Sequence, residues 1–335
     1  MSHSRRAFLK AAAATVGTAP LALTATPMLG EALSPEQVIS LFDPFPGEKA
    51  VKIFAPATGD KPEFLAQYNP SMRMFVGSAI KAFVLCEALR QADSPTVVQT
   101  IAQKQLALDA SVWTVDSATF NPPHLSGLVS ERTALEAMIC HSDNTGTDMS
   151  FKLVGPDNVR SFIASAGLKH TQVPDSTRVF FGYLLGAKDY KTFTWDQLVA
   201  ALEDDAPIVN PPLNNVETLA SSADDFVSFY SRGLQGEFFK STETLNEFRR
   251  ILTLAGAISL VVPLGASAFV KGGSIDVPGY HALCIPGGMF FSDRWVYFSF
   301  TINWYAPGET DPETVSRFAA AVHQALTLVK DALST

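Results

Sequence analysis

The stretch Val76-Gly77-Ser78-Ala79-Ile80-Lys81-Ala82-Phe83-Val84-Leu85 decides how this chain is read. A helix is predicted to begin at Ser78, after Val76-Gly77. Ser78 and Lys81, three residues apart, then share one helical face, and the amine comes beside the hydroxyl. A Ser in the first helical turn also keeps its backbone N–H free, aimed at whatever bonds to its side-chain oxygen. Ile80, Phe83, Val84 and Leu85 make the helix strongly apolar. A Lys partly desolvated there has a lowered pKa and can serve as a base. Taken alone, such a pair is usually a helix cap followed by a solvated Lys.

Working outward, Ser142-Asp143-Asn144 follows 64 residues after Ser78, in a short link between two predicted helices. Lys271-Gly272-Gly273 follows 129 residues later still, at an edge of predicted C-terminal strands. Each triplet alone is a helix N-cap or a glycine-rich turn. The ordered set Ser-x-x-Lys, Ser-Asp-Asn, Lys-Gly-Gly resembles the penicillin-recognising serine hydrolases. The run His141-Ser142-Asp143-Asn144-Thr145-Gly146, continued to Gly155-Pro156, is most similar to class A β-lactamases.

That resemblance covers essentially the whole mature chain and implies an α/β fold of the β-lactamase/transpeptidase type. An antiparallel sheet is flanked by N- and C-terminal helices, and an all-helical domain is inserted. It implies an α/β domain from 31–77 and 250–335 and a helical domain over 78–249. Ser78 would be the acylated nucleophile, Lys81 its base or proton relay, and Ser142 the donor to the leaving group. Asn144 would hold Lys81 and a substrate amide, and Lys271 would supply positive potential. Gly272 and Gly273 would border the substrate, with the oxyanion between the backbone N–H groups of Ser78 and Ser274.

Three departures from the family pattern bear on substrate and turnover. Gly272 stands where the lactamases carry a Thr or Ser whose hydroxyl binds a substrate carboxylate. The arginine that assists that carboxylate would fall near Gly279-Tyr280-His281, and no Arg precedes Arg294 there. The Glu that releases the acyl group is missing from the stretch Asp175-Ser176-Thr177-Arg178-Val179-Phe180-Phe181, where Asp175 is the nearest carboxylate. Thr242-Glu243-Thr244-Leu245-Asn246 imitates the missing loop but comes too late in the chain and reads as a solvated helix. Residues 182–212 form an expansion that either roofs the site or packs on its own aromatics Tyr183, Tyr190, Phe193 and Trp195.

These observations predict an exported serine acyl hydrolase, β-lactamase-like, acting on a β-lactam or a related amide or ester. An esterase or D-peptidase-like hydrolase with poor β-lactam turnover is the alternative, as is a non-catalytic sensor acylated once. Asp175 is a possible deacylation base, and the Lys81/Ser142 pair is the favoured one. The expected substrate is a small-molecule or cell-wall-derived acyl compound.

Periodicity predicts helices over 78–91, 95–108, 131–139, 145–153, 157–166, 195–202, 222–232 and 311–333. Strands are predicted over 51–55, 64–68, 266–271, 281–291 and 295–305, and a short capped helix at Ser34-Pro35-Glu36.

Composition excludes several classes. With 335 residues, 47% hydrophobic, the chain can bury one or two substantial cores. A net charge of −8, with no Lys/Arg cluster after the first ten residues, excludes a polyanion-binding surface, so no nucleic-acid partner is expected. Cys86, Cys140 and Cys284 have neither CxxC spacing nor an even count, and three buried thiols are expected. His124, His141, His170, His281 and His323 lack metal-ligand spacing, and no phosphate loop occurs, so neither metal nor cofactor is expected.

Ser4-Arg5-Arg6-Ala7-Phe8-Leu9-Lys10, followed by an uncharged Ala/Leu/Thr stretch, resembles a twin-arginine export signal over 1–30. It implies folded transport by the twin-arginine translocase to the periplasm or the exterior, and a mature chain expected to be a monomer. Its removal, with Arg5, Arg6 and Lys10, takes the charge from −8 to −11. The apolar run 251–270 has the length of a membrane span, but Gly256, Ser259, Pro263, Gly265 and Ser267 break it, so no span is expected.

Overall fold

The structure is a computed structural model that describes residues 33–334. The expected export signal over 1–30 lies outside the described residues. Helix α1 (Pro35–Ile39) opens on a capping box in which Ser34 accepts from the Gln37 backbone and the Gln37 side chain returns to Ser34. Strands β1 (Glu48–Ala55), β2 (Phe64–Tyr68) and β3 (Met74–Phe75) follow. A 3-10 turn, Gly77–Ile80, then leads into α2 (Lys81–Gln91). Next come α3 (Val97–Gln103), β4 (Gln105–Leu108), β5 (Gly127–Ser130), α4 (Glu131–Cys140), α5 (Asn144–Val154), α6 (Pro156–Ser165), α7 (Thr177–Leu184) and α8 (Trp195–Glu203). The chain continues through β6 (Ala220–Ser221), α9 (Ala223–Gly233), α10 (Thr242–Leu252) and α11 (Ile258–Val261). It ends with β7 (Ser267–Val270), β8 (Gly273–Val277), β9 (Tyr280–Phe291), β10 (Arg294–Trp304) and α12 (Pro312–Leu333).

The main sheet is antiparallel, in the order β2-β1-β10-β9-β7, with β8 also paired to β9. Side-chain alternation along β10 divides its residues between two cores. Phe298 and Phe300 join Val51, Ile53 and Phe42 under the helices α1 and α12, where Phe42 stacks on Phe300 at 5.1 Å. Tyr297 faces the other way, into the larger cluster that holds Phe83 and Phe226. Burying each such aromatic contributes about 1.5–3 kcal/mol, which is why these alternating runs form the centre of the sheet.

β7 and β8 run along the same side of β9, one against residues 287–290 and the other against 280–284. The break between them falls at Lys271-Gly272, so the third motif sits where the edge of the sheet opens.

The structure corrects several predicted elements. The expected helix over 95–108 ends at Gln103. Lys104 turns extended, and Gln105–Leu108 pairs with Gly127–Ser130 as a small hairpin of its own. Ser78 lies in a 3-10 turn, and the α-helix itself starts at Lys81. Helix α7, capped by Ser176, was not expected, nor was β8. The run 251–270 divides into the end of α10, the short α11 and β7, and no described helix is long and apolar enough to cross a membrane.

Candidate active site

Two glycines bring the first and third motifs together. Gly77 has φ +53, and a Cβ on it would lie 2.6 Å from the Ser274 carbonyl oxygen and 2.8 Å from its nitrogen. A Cβ on Gly273 would lie 2.1 Å from the Val76 carbonyl oxygen and 2.7 Å from the Ser78 nitrogen. Only bare backbone fits in either place, so the main chains at Ser78 and Ser274 run in direct contact.

Lys81, at the start of α2, is wholly buried. Its Nζ donates to the Ser142 carbonyl oxygen at 2.5 Å, to Ser142 Oγ at 3.2 Å and to Asn144 Oδ1 at 2.7 Å. Burial pushes this amine down to about 8, against the opposing pull of Asp143, Asp116 and Asp148. Lys271 reaches the same hydroxyl from the sheet edge, donating to Ser142 Oγ at 3.0 Å and to the Gly272 carbonyl oxygen at 2.8 Å. Burial, and then the charge of Lys81, holds the Lys271 amine well below its ordinary value. With both lone pairs of Ser142 Oγ accepting from amines, its own proton is left to point at a third group.

Ser142 itself has a left-handed backbone, φ +57. The turn is fixed by Asp143, which caps α5 by accepting from the Gly146 nitrogen at 2.8 Å. Its second oxygen accepts from the Thr119 and Phe120 nitrogens at 2.8 and 3.0 Å. Asn144 is oriented by donation from Nδ2 to the Val115 carbonyl oxygen at 3.0 Å. His141 stands at the exposed rim, with Nδ1 2.9 Å from Thr119 Oγ1.

A cavity of about 750 Å³ is lined by Ser78, Ser142, Asn144, Lys271, Gly272, Gly273 and Ser274, with Lys81 beneath. The structure therefore brings together every residue singled out from the three motifs. It does not bring Asp175 to them. The Asp175 carboxylate is held by Arg160 at 2.5 Å and Lys191 at 3.3 Å, and it does not line the cavity. Its partial burial would raise its pKa, but the hydrogen bond and charge of Arg160, with Lys191, outweigh this and hold it below the usual carboxylate range.

At the start of α7 the cavity is lined instead by Thr177, whose nitrogen and Oγ1 both donate to Asp148 Oδ1 at 2.7 Å. The sequence does not predict Thr177 on this wall, nor Asp148 behind it, nor Asp116. Asp116 lines the cavity with a left-handed backbone, φ +57, and one buried carboxylate oxygen has no hydrogen-bond partner among the described residues. Burial pushes its carboxyl up to about 7, with Lys81 opposing.

Among the described residues no Lys or Arg besides Lys271 lines the cavity in place of the arginine that the resemblance implies. His281 is buried, with Nδ1 2.7 Å from Asp276 Oδ1 and Nε2 3.0 Å from the Ala306 carbonyl oxygen. Among the described residues the lining contains one Lys or Arg, Lys271, against two carboxylates, Asp116 and Asp276.

The expanded segment packs partly on itself and partly on the helical core. Tyr183 meets Tyr190 at 5.3 Å, Trp195 meets Trp113 at 6.1 Å, Phe193 packs on Gly182, and none of these aromatics lines the cavity. The imitation loop at Thr242 opens α10, away from the cavity. All three cysteines are free. Cys86 and Cys284 are buried as expected, but Cys140 is half-buried, on the cavity wall. Among the described residues no three His, Cys, Asp or Glu side chains are grouped to hold a metal ion.

A family model described as the β-lactamase enzyme family matches residues 36–253. No curated protein gives a significant sequence match. Among solved structures, a class A β-lactamase from Bacteroides cellulosilyticus superposes with a TM-score of 0.65 at 18% identity, covering 89% of this chain and 96% of its own. The class A β-lactamase from Mycobacterium abscessus gives 0.63 at 17% identity, over 90% and 99% of the two chains. The β-lactamase from Sphaerobacter thermophilus gives 0.63 at 16%, over 87% and 94%. At these identities the likeness shows the fold.

Proposed function

The chain belongs to the β-lactamase enzyme family, and from that premise we propose that it is an exported serine acyl hydrolase working through an acyl-enzyme on Ser78. The observation that carries this is the convergence of Lys81 and Lys271 on Ser142 Oγ beside Ser78.

In this reading Ser78 Oγ attacks the substrate carbonyl and its proton passes to the free amine of Lys81. The carbonyl electrons collect on an oxygen held between the Ser78 and Ser274 N–H groups. Ser142 delivers its proton to the leaving nitrogen or oxygen and is reprotonated from Lys81. The amine or alcohol departs and the acyl group stays on Ser78. Water then attacks the ester, giving up a proton through the same Lys81/Ser142 pair, and Ser78 Oγ leaves protonated as the acid is released. Asp175, tied to Arg160, takes no part. The twin arginines Arg5-Arg6 support export through the twin-arginine translocase to the periplasm or beyond, and the working unit is a monomer. Its two structural units are 31–77 with 250–335 and 78–249.

The substrate is an ester or amide, the β-lactam ring being one such amide. Gly272 offers no hydroxyl, and among the described residues Lys271 is the one Lys or Arg on a wall that also carries two carboxylates, so a neutral acyl donor is favoured over one carrying a carboxylate. Each missing charge-assisted contact is worth about 1.5–3 kcal/mol, together roughly a hundredfold or more in affinity. Steady-state turnover of a neutral ester and of its carboxylate-bearing analogue tests this. The ester is expected to be the better substrate, and a penicillin hydrolysed far faster than the ester would overturn the preference.

A further inference from the structure

The cavity that holds Ser78 does not end at the third motif. It continues past Gly272 into a groove floored by Leu283 and Ile285 of β9, with Leu260 of α11 on one side and Val315, Phe318 and Ala319 of α12 on the other. Val315, Phe318, Ala319, Leu260, Leu283 and Ile285 are uncharged; the one carboxylate on this face among the described residues is Asp276 of β8, which is held by His281 and Thr310. Leu260 is 45% exposed, an apolar side chain that no described element covers.

The neck between site and arm is at Gly272. A Cβ placed there would meet Ala257 Cβ at 3.5 Å and the Cys284 carbonyl oxygen at 3.7 Å. A Cβ would thus fill the space between these two neighbours at ordinary contact distance, and glycine leaves that space open. The neck also adjoins the proton donor, because Lys271 Nζ binds Ser142 Oγ and the Gly272 carbonyl oxygen together. A group accepting a proton from Ser142 Oγ would therefore lie close to Gly272, where the arm begins.

We propose that this groove is a leaving-group subsite, taking the apolar alkyl or aryl alcohol portion of an ester substrate. The proposal rests on the acyl-hydrolase reading of Ser78 and adds the side of the scissile bond on which the apolar part lies. Gly272 then has a positive role: the side chain that would bind a carboxylate is replaced by an opening to a largely apolar groove.

Two series of esters hydrolysed by the full mature chain test it, followed by titration of released acid. One series keeps the acetyl group and lengthens the alcohol from methyl to butyl to hexyl. The other keeps the methyl alcohol and lengthens the acyl chain. Burial of a methylene is worth about a two- to fourfold gain in kcat/KM, so butyl acetate, three methylenes longer, is expected to exceed methyl acetate by roughly 8- to 60-fold, with a flatter acyl series. Ala319→Trp, which fills the arm, and Leu260→Asp, at an exposed position that spares the fold, should each bring the butyl-to-methyl ratio toward one. A flat alcohol series, a steeper acyl series, or a ratio untouched by both substitutions overturns the subsite while leaving Ser78-dependent hydrolysis standing. Absence of any Ser78-dependent ester hydrolysis overturns the underlying reading with it.

Discussion

Lys81 and Lys271 donate to one hydroxyl: Ser142 Oγ lies 3.2 Å from the first amine and 3.0 Å from the second. The two side chains come from different elements, Lys81 from the helix that follows Ser78 and Lys271 from the break in the sheet edge. A hydroxyl saturated with donors on its oxygen can only give its proton away, which suits departure of a leaving group. Burial of both amines disfavours charging both, which suits Lys81 to accept the Ser78 proton.

The first prediction is a pH profile. Lys81 must be uncharged to act, and its amine sits at about 8. Acylation should rise close to tenfold per pH unit below that value and level off above it. Lys81→Ala should slow acylation by roughly 10²- to 10⁴-fold, as loss of a general base does. A pH-independent burst between pH 6 and 8 would exclude Lys81 as the titrating group.

Asp116→Asn should stabilise the protein at alkaline pH. The carboxyl is raised from 3.8 to about 7 in the fold, so the native state binds the proton more tightly than the unfolded chain. Stability therefore falls as pH climbs from about 4 through about 7, and the full cost is present above that. At one pKa unit per 1.36 kcal/mol the cost is at most about 4 kcal/mol. The gain in Tm from Asp116→Asn should thus be larger at pH 8 than at pH 4. The same substitution removes a charge that holds the Lys81 proton, so the acid limb of the acylation profile should move to lower pH. Equal Tm shifts at both pH values would mean that Asp116 titrates normally.

Gly273→Ala should disable the site rather than the fold. The new Cβ would press on the Val76 oxygen and lie 2.7 Å from the Ser78 nitrogen, driving the β8 edge from the oxyanion position. Loss of one such donor costs about 10²- to 10³-fold in kcat. Circular dichroism should stay native while kcat falls, and a fully active alanine variant would show that the two backbones need not touch.

Asp175→Asn should change neither the acylation burst nor the steady-state rate, because its carboxylate is committed to Arg160 and Lys191. The partly exposed pairs lost are worth about 0–1 kcal/mol, so Tm should shift little. A variant that acylates normally yet accumulates trapped acyl-enzyme would make Asp175 the water-activating base.

Ser78, Lys81, Ser142 and Lys271 were legible in the sequence, the first pair because three residues along a helix is also proximity in space, the others because their motifs recur in order. Asp116 and Asp148 were not legible, since no local pattern surrounds them. What makes Asp116 notable is a burial and a left-handed backbone that appear only when its loop packs on α5. Thr177 was read only as part of a stretch lacking Glu, while its role as cavity wall depends on the clamp from Asp148. The helix expected through 108 failed because Gln105–Leu108 finds its partner in Gly127–Ser130, a pairing periodicity cannot see. β8 was missed because Gly273-Ser274 reads as a turn, although bare backbone is what the contact with Ser78 demands.

The central claim is that Ser78 becomes acylated. Intact-protein mass spectrometry after incubation with a fluorophosphonate or a penicillin tests it most directly, with Ser78→Ala treated in parallel. One adduct per chain, mapped to Ser78 and absent from the alanine variant, is the predicted result. An adduct that forms equally on Ser78→Ala would contradict it.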